Sequence, residues 1–298
     1  MICDEKNIDA FAEELLREGR KFEALGEEYV NPFKPDMYVF QSVCANLFVK
    51  LQREGAQPFY AYFQPCYDRP APLLVHMPGY GAEMSFHPDM AQRYNVLHIS
   101  PLGYNTPEGK DGSKLTMGGC GPVYPNTLLG DMENGYVGWL KDCVAAVEWA
   151  RGRENVISDR IGFFGTSQGG GGSLLMTSIY RDENVVRAVA AEQPFLTDFK
   201  RAAWRGAYAM GEDMWREVPE AVRLERTFCI DTVNHARRIC CPVLLTSGGR
   251  DETCPPETAK ALFEALEGSK SYTHFEHLPH GYSREFLPMA RAWFEIYL

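Results

Sequence analysis

The sequence predicts an α/β protein: a mostly parallel central sheet with helices on both faces. From Leu73 onward, short strand-like runs alternate with helix-compatible segments, the pattern of a sheet covered on both sides. Leu73–Met77 and Ile161–Gly165 are apolar throughout, as in strands buried on two faces. The 298 residues, with 45% hydrophobic and 23% charged, are ordinary for a globular chain long enough to bury a sizeable core without staples. We therefore expect a single domain over residues 1–298, with a helical insertion at about 196–228 after the sixth strand.

Taken in order, Ile8, Phe11, Leu15, Leu16 and Phe22 repeat at helical spacing and predict an opening amphipathic helix. Tyr38-Val39-Phe40, Leu47-Phe48-Val49 and Phe59 to Phe63 then read as an antiparallel meander. Leu73–Met77 is a buried strand, followed by the turn Pro78-Gly79-Tyr80-Gly81-Ala82 and a short helix through Met90 and Ala91. Asn95–Ile99 is the next strand, and Leu102 to Pro125, rich in Gly and Pro, reads as a long loop. Tyr136, Leu140, Cys143, Val144, Val147 and Ala150 lie on one stripe of a strong helix. After the Ile161 and Ala188 strands, the segment from Phe195 to about Phe228 breaks the alternation and reads as helical. Val243–Thr246 (strand), Glu257–Leu266 (helix), Tyr272–Leu278 (strand) and Ser283–Leu298 (helix) complete the chain.

Bulk properties exclude several function classes. A net charge of -10 argues against nucleic acid and anionic membrane as partners, and no run approaches a membrane span. Met1-Ile2-Cys3-Asp4-Glu5-Lys6 lacks the basic and apolar regions of a secretory signal. The nine cysteines are odd in number and show no C-x-x-C spacing, so reduced thiols and a cytoplasmic setting are expected.

Chemistry concentrates at Gly165-Thr166-Ser167-Gln168-Gly169, a G-x-S-x-G pattern placed between a strand and a helix. That context lifts a serine hydroxyl above the sheet edge. Gly169 to Gly172 sit where a helix should start, at about 1 kcal/mol each relative to Ala, which makes sense if backbone passes close to backbone there. A serine needs a base to take its proton, and the base needs an acid to orient it. In α/β-hydrolases the order along the chain is Ser, Asp/Glu, His. Asp251, after the Val243 strand, is the expected acid, with Glu252 as the alternative. Of His274, His277 and His280, the last lies in a loop beyond its strand and is the expected base, with His277 as runner-up. The H-x-x-H-x-x-H spacing does not predict a metal, because His274 and His277 point to opposite faces of a strand. No cofactor is expected. Backbone amides of Tyr80 and Gln168 are the expected oxyanion donors. Trp204, Tyr208, Met210, Met214 and Trp215 either line an acyl pocket or simply pack.

The segments 165–171, 194–202 (Pro-Phe-Leu-Thr-Asp-Phe-Lys-Arg-Ala), 241–244 (Cys-Pro-Val-Leu) and 251–256 (Asp-Glu-Thr-Cys-Pro-Pro) resemble the acetyl xylan esterase and cephalosporin-C deacetylase family. The resemblance covers roughly Leu73 to the C-terminus. It implies an α/β-hydrolase fold, removal of acetyl groups from sugar esters, and frequent assembly into oligomers. It also implies an oxyanion hole from the amides at the positions of Tyr80 and Gln168. The chain departs from the family in three places. Pro78-Gly79-Tyr80 stands where His-Gly-Tyr is usual, Tyr104 to Gly119 replaces the Arg-Gly-Gln region, and Pro279-His280-Gly281-Tyr282 replaces Gly-His-Glu. The expected activity is a serine carboxylesterase acting on small acyl esters of carbohydrates. The alternatives are a serine peptidase or longer-chain lipase on the same scaffold, and an inactive binding protein.

Overall fold

A computed structural model describes residues 5–30, 46–66, 70–80, 87–100 and 122–298. One nine-stranded sheet organises these residues, in the order β1-β2-β3-β5-β4-β6-β7-β8-β9. Its strands are β1 (Phe22–Val30), β2 (Asn46–Arg53), β3 (Phe59–Gln64), β4 (Ala71–Met77), β5 (Asn95–Ser100), β6 (Val156–Thr166), β7 (Val186–Glu192), β8 (Val243–Arg250) and β9 (Lys270–Pro279). β1, β2, β3 and β5 pair antiparallel, and every pairing from β5 through β4 to β9 is parallel. This is the α/β-hydrolase arrangement, with an antiparallel flank added to a parallel centre.

The helices are α1 (Glu5–Gly19), α2 (Pro88–Ala91), α3 (Val123–Leu129), α4 (Tyr136–Arg151), α5 (Gln168–Ile179), α6 (Phe199–Ala202), α7 (Glu212–Trp215), α8 (Glu220–Thr227), α9 (Pro256–Ala265) and α10 (Phe286–Tyr297). Alternate strand residues feed two cores. Leu73, Val75 and Met77 of β4 join α4 and α5 on one face, while Leu74 joins Val96, Phe164 and Phe294 on the other. α4 is buried nearly all round, beyond its expected stripe, because α1 covers its outer side. The approach is so close that a Cβ on Gly19 would lie 2.5 Å from Val144 Cβ. Inside this helix the Asp142 carboxylate pairs with Arg53 of β2. Burial pushes the Asp142 carboxyl up and Arg53 holds it down, so the ion pair cross-links helix to sheet.

Several boundaries differ from expectation. The opening helix stops at Gly19, and Phe22 begins β1, whose pairing with β2 overrides the helical spacing. The expected loop through Pro125 contains α3 instead. Pro125 lies in its first turn, where a missing N–H costs nothing. The strand expected at Tyr38-Val39-Phe40, and most of the Leu102–Pro125 loop, lie outside the described residues. The helical segment follows the seventh strand in chain order, not the sixth, and short helices and 3-10 turns run on to Arg238. Its aromatic residues pack on one another. Tyr208 and Trp215 are buried, and the Arg223 guanidinium lies 4.2 Å and 4.9 Å from the ring centroids of Trp204 and Trp215. Met214 alone of the group is well exposed.

Chain direction sets the location of chemistry. From β4 the chain steps to β5 on one side and then to β6 on the other, so crossovers leave opposite ways between β4 and β6. The carboxyl ends of strands flanking such a reversal form the crevice where α/β sheets bind ligands.

Candidate active site

Ser167 sits between the end of β6 and the start of α5 with φ 59° and ψ -121°, a conformation that L residues adopt only under constraint. Constraint is supplied by neighbours. Ser167 N donates to Glu192 O (2.9 Å), and Ser167 O accepts from Gly171 N (3.0 Å) and Phe195 N (2.9 Å). The glycines allow this closeness. A Cβ on Gly169 would lie 2.0 Å from Met77 O, and one on Gly171 would lie 1.9 Å from Phe195 O. The Gly cluster therefore packs α5 onto the strand ends, as a backbone-approach reading of the sequence requires.

Three strand ends converge on the hydroxyl. His280, just past β9, places Nε2 3.0 Å from Ser167 Oγ and Nδ1 2.8 Å from Asp251 Oδ2. Asp251 follows β8 with a fully buried side chain, and its Oδ1 accepts from Thr253 N (2.9 Å) and Cys254 N (2.7 Å). Those donors fix the carboxylate, which fixes the ring tautomer with its proton on Nδ1. The other nitrogen is left to accept from the serine. Glu252 is exposed, and of the two expected acids Asp251 is the one bonded to His280. His277 is exposed, and His274 Nδ1 is 2.8 Å from Ser247 Oγ, so neither ring joins the site.

The expected oxyanion donors lie on two connected elements. Gln168 opens α5, and a helix directs the N–H groups of its first turn out of its end. Its side chain accepts from Tyr136 Oη (2.8 Å) and donates to Pro78 O (3.4 Å), which ties α5 to the turn carrying Tyr80. The Gly79 backbone also lies near the phenol of Tyr282, two residues beyond His280. The replacement region Tyr104–Gly119 lies outside the described residues.

Two residues that sequence reasoning did not single out hold the loop that carries His280. Gln193 Nε2 donates to Pro279 O and Gly281 N donates to Gln193 Oε1, each at 2.8 Å, so one amide side chain brackets His280 on both sides. Gln193 has φ 43°, and its own N–H donates to Thr246 O (2.9 Å). Glu192 accepts from Ser283 N (3.0 Å), Ser283 Oγ and Thr166 Oγ1 (2.6 Å). Burial pushes its carboxyl up, against these hydrogen bonds and the nearby His280. The only cue in the sequence was position, at the end of a buried strand just before Pro194-Phe195.

The segment after Gln193 is pinned from the far side. Asp231 accepts from Asp198 N (2.8 Å), Phe199 N (3.0 Å) and Val233 N (3.1 Å), while burial pushes its carboxyl up to about 6. Burial pushes the Cys254 thiol well above the usual thiol range, so it stays protonated. No helix among the described residues is long and apolar enough to cross a membrane.

Comparison with known proteins bears on the family and the fold. The chain is 30% identical over 162 residues to the acetyl esterase Axe7A of Xylanibacter ruminicola. That match takes in 48% of this chain and 35% of the relative, about a third of its length. The crystal structure of acetyl xylan esterase 1 from a Thermoanaerobacterium species superposes with TM-score 0.78 at 23% identity, covering 97% of this chain and 93% of that one. An acetyl xylan esterase from a Paenibacillus species gives TM-score 0.76 at 22% identity, covering 99% and 93%. At such identities the superpositions establish the fold. The family model for acetyl xylan esterase (AXE1) aligns with residues 3–297, nearly the whole chain. On that match the chain belongs to the acetyl xylan esterase family, a family of ester hydrolases.

Proposed function

We propose that the chain is a serine carboxylesterase that hydrolyses small acyl esters, acetyl above all, carried on carbohydrates. The observation that carries this reading is the pair of distances through one imidazole, 3.0 Å to Ser167 and 2.8 Å to Asp251, on a serine at a strained strand-to-helix corner. In this reading the chain works as one catalytic domain, with the helices at about 196–228 as its insertion.

Ser167 Oγ attacks the ester carbonyl while His280 Nε2 takes its proton. Asp251 stabilises the imidazolium without accepting the proton itself. The oxyanion is met by the backbone N–H groups of Tyr80 and Gln168, each worth roughly 3–4 kcal/mol of barrier lowering. His280 returns its proton to the departing alcohol, which leaves an acetyl–Ser167 ester. Water, deprotonated by the same ring, releases acetate and restores the serine. The acetyl and carbohydrate preference rests on family membership.

The test measures hydrolysis of p-nitrophenyl acetate, butyrate and octanoate beside acetylated xylo-oligosaccharides and a peptide anilide. Ser167→Ala should remove turnover while leaving the melting curve intact, and wild type should label at Ser167 with a fluorophosphonate. Full turnover in the alanine variant sinks the mechanism. Preference for octanoate or for the anilide replaces the acetyl reading with the lipase or peptidase one.

A further inference from the structure

On the α2/α10 face of the sheet, outside the site just described, three histidines meet in an otherwise apolar layer. His76 on β4 and His98 on β5 are register partners, and His87 descends on them from the residue before α2. The three are 3%, 1% and 9% exposed. One ring nitrogen from each lies within 4.8 Å of those of the other two, and His76 Nδ1 is 2.7 Å from His98 Nδ1. The Phe164 ring closes the pocket, with its centroid 4.8 Å from that of His76 and 5.1 Å from that of His87. Leu74, Val96, Met90 and Phe286 lie in the same layer.

We propose that His76, His87 and His98 form a binding site for one borderline transition-metal ion, zinc or a divalent ion of similar preference, that braces β4, β5 and the start of α2. Three arguments support it. First, the donor set is three imidazoles, which suits zinc, copper, cobalt or nickel and not magnesium or calcium, whose ligands are oxygens. Second, the geometry needs little adjustment. With metal–nitrogen bonds of about 2 Å, neighbouring ligand atoms in a tetrahedral site stand about 3.4 Å apart. The His76–His98 pair has to open by roughly 0.7 Å, and no other pair, at 4.8 Å or less, has to close by more than about 1.4 Å. The proton now shared between the two Nδ1 atoms moves to the Nε2 of its own ring, so both Nδ1 lone pairs face the ion and no net proton is lost. Third, all three rings are nearly fully buried, which favours the neutral imidazole, the form that ligates, over the imidazolium.

Simple packing is the rival account. It explains a hydrogen-bonded His76–His98 pair, but not the third ring. His87 comes from a different segment and is held by its own N–H on Gln64 Oε1 (3.1 Å), which sets its imidazole against His76 at a centroid distance of 4.4 Å. The exposed His274 and His277 do not share the pocket.

The experiment uses the untagged full-length chain, stripped with a chelator and titrated with cobalt(II) by absorption and with zinc(II) by calorimetry. Expected are one equivalent of each metal, intense four-coordinate d–d bands for cobalt, and a higher melting temperature with zinc. His98→Gln and His87→Gln should each weaken zinc at least 100-fold with unchanged circular dichroism. Should His98→Gln unfold, His87→Gln, outside the sheet, decides alone. Absence of the cobalt bands in wild type overturns the site. So does unchanged affinity in His87→Gln, which would leave a two-histidine contact or a surface site elsewhere.

Discussion

Replacing Gln193 by alanine tests whether the base is placed by its loop or only by its acid. The side chain makes two neutral hydrogen bonds at 2.8 Å, to Pro279 O and from Gly281 N, and both stand next to His280 in the chain. Each is worth about 0.5–1.5 kcal/mol, and water entering the half-buried gap replaces part of that. The expected loss of stability is therefore about 1–2 kcal/mol, or roughly 2–4 °C in melting temperature. The kinetic cost is larger in proportion. His280 keeps its bond to Asp251 and its loop keeps the Ser283–Glu192 bonds, but the two residues flanking the ring lose their tether, and a displacement of about 1 Å of a reacting group costs on the order of 100-fold in rate. We expect kcat on p-nitrophenyl acetate to fall about 10–100-fold with KM within about threefold of wild type. Gln193→Glu keeps the acceptor for Gly281 but sets an oxygen against the Pro279 carbonyl, so it should do no better. The assay is kcat and KM across pH beside a thermal melt. A variant that melts lower by the stated amount yet turns over within twofold of wild type refutes the argument, because the loop would then be dispensable for placing the ring.

Other expectations follow from the same structure. Asp251→Asn should lower kcat by roughly four orders of magnitude with a folded spectrum, since the amide no longer holds the reactive tautomer; a drop under tenfold in steady-state kinetics counts against its role. Gly171→Ala drives a Cβ to 1.9 Å from Phe195 O and should destabilise by about 3 kcal/mol or more, read as a shift in urea midpoint. His235 is fully buried between Ser178 Oγ (2.7 Å) and Cys229 O (3.0 Å), and burial lowers it to about 4. Its folded value is below the unfolded one, so its contribution is complete above about pH 6.5 and is lost as pH falls toward 4, at roughly 1.4 kcal/mol per pH unit. His235→Gln should flatten the acid limb of the stability–pH curve by one proton in denaturant titrations at several pH values.

Much of this architecture was legible because it is local. The G-x-S-x-G corner is specified within five residues, and the apolar runs of β4 and β6 announce two-sided burial. The choice of His280 over His277 followed from one being past the end of a strand, which the spacing reveals. What stayed hidden depends on distant pairing. β1 carries Glu23, Gly26, Glu27 and Glu28, poor strand formers, and takes its strand form from β2, so Phe22 read as helix. Nothing near Gln193 signals that its amide spans a loop 86 residues further on. The grouping of His76, His87 and His98 likewise arises only when β4 and β5 lie in register.

The proposed triad joins residues far apart in the chain, Ser167 with His280 across 113 positions and Asp251 with His280 across 29. Such separations are closed late, after local helices and hairpins have formed. During renaturation from denaturant, hydrolysis should thus return behind far-ultraviolet ellipticity and together with the slowest tryptophan-fluorescence phase. Enzyme turnover is in this sense a clock for the final docking of β8 and β9 onto the rest of the sheet.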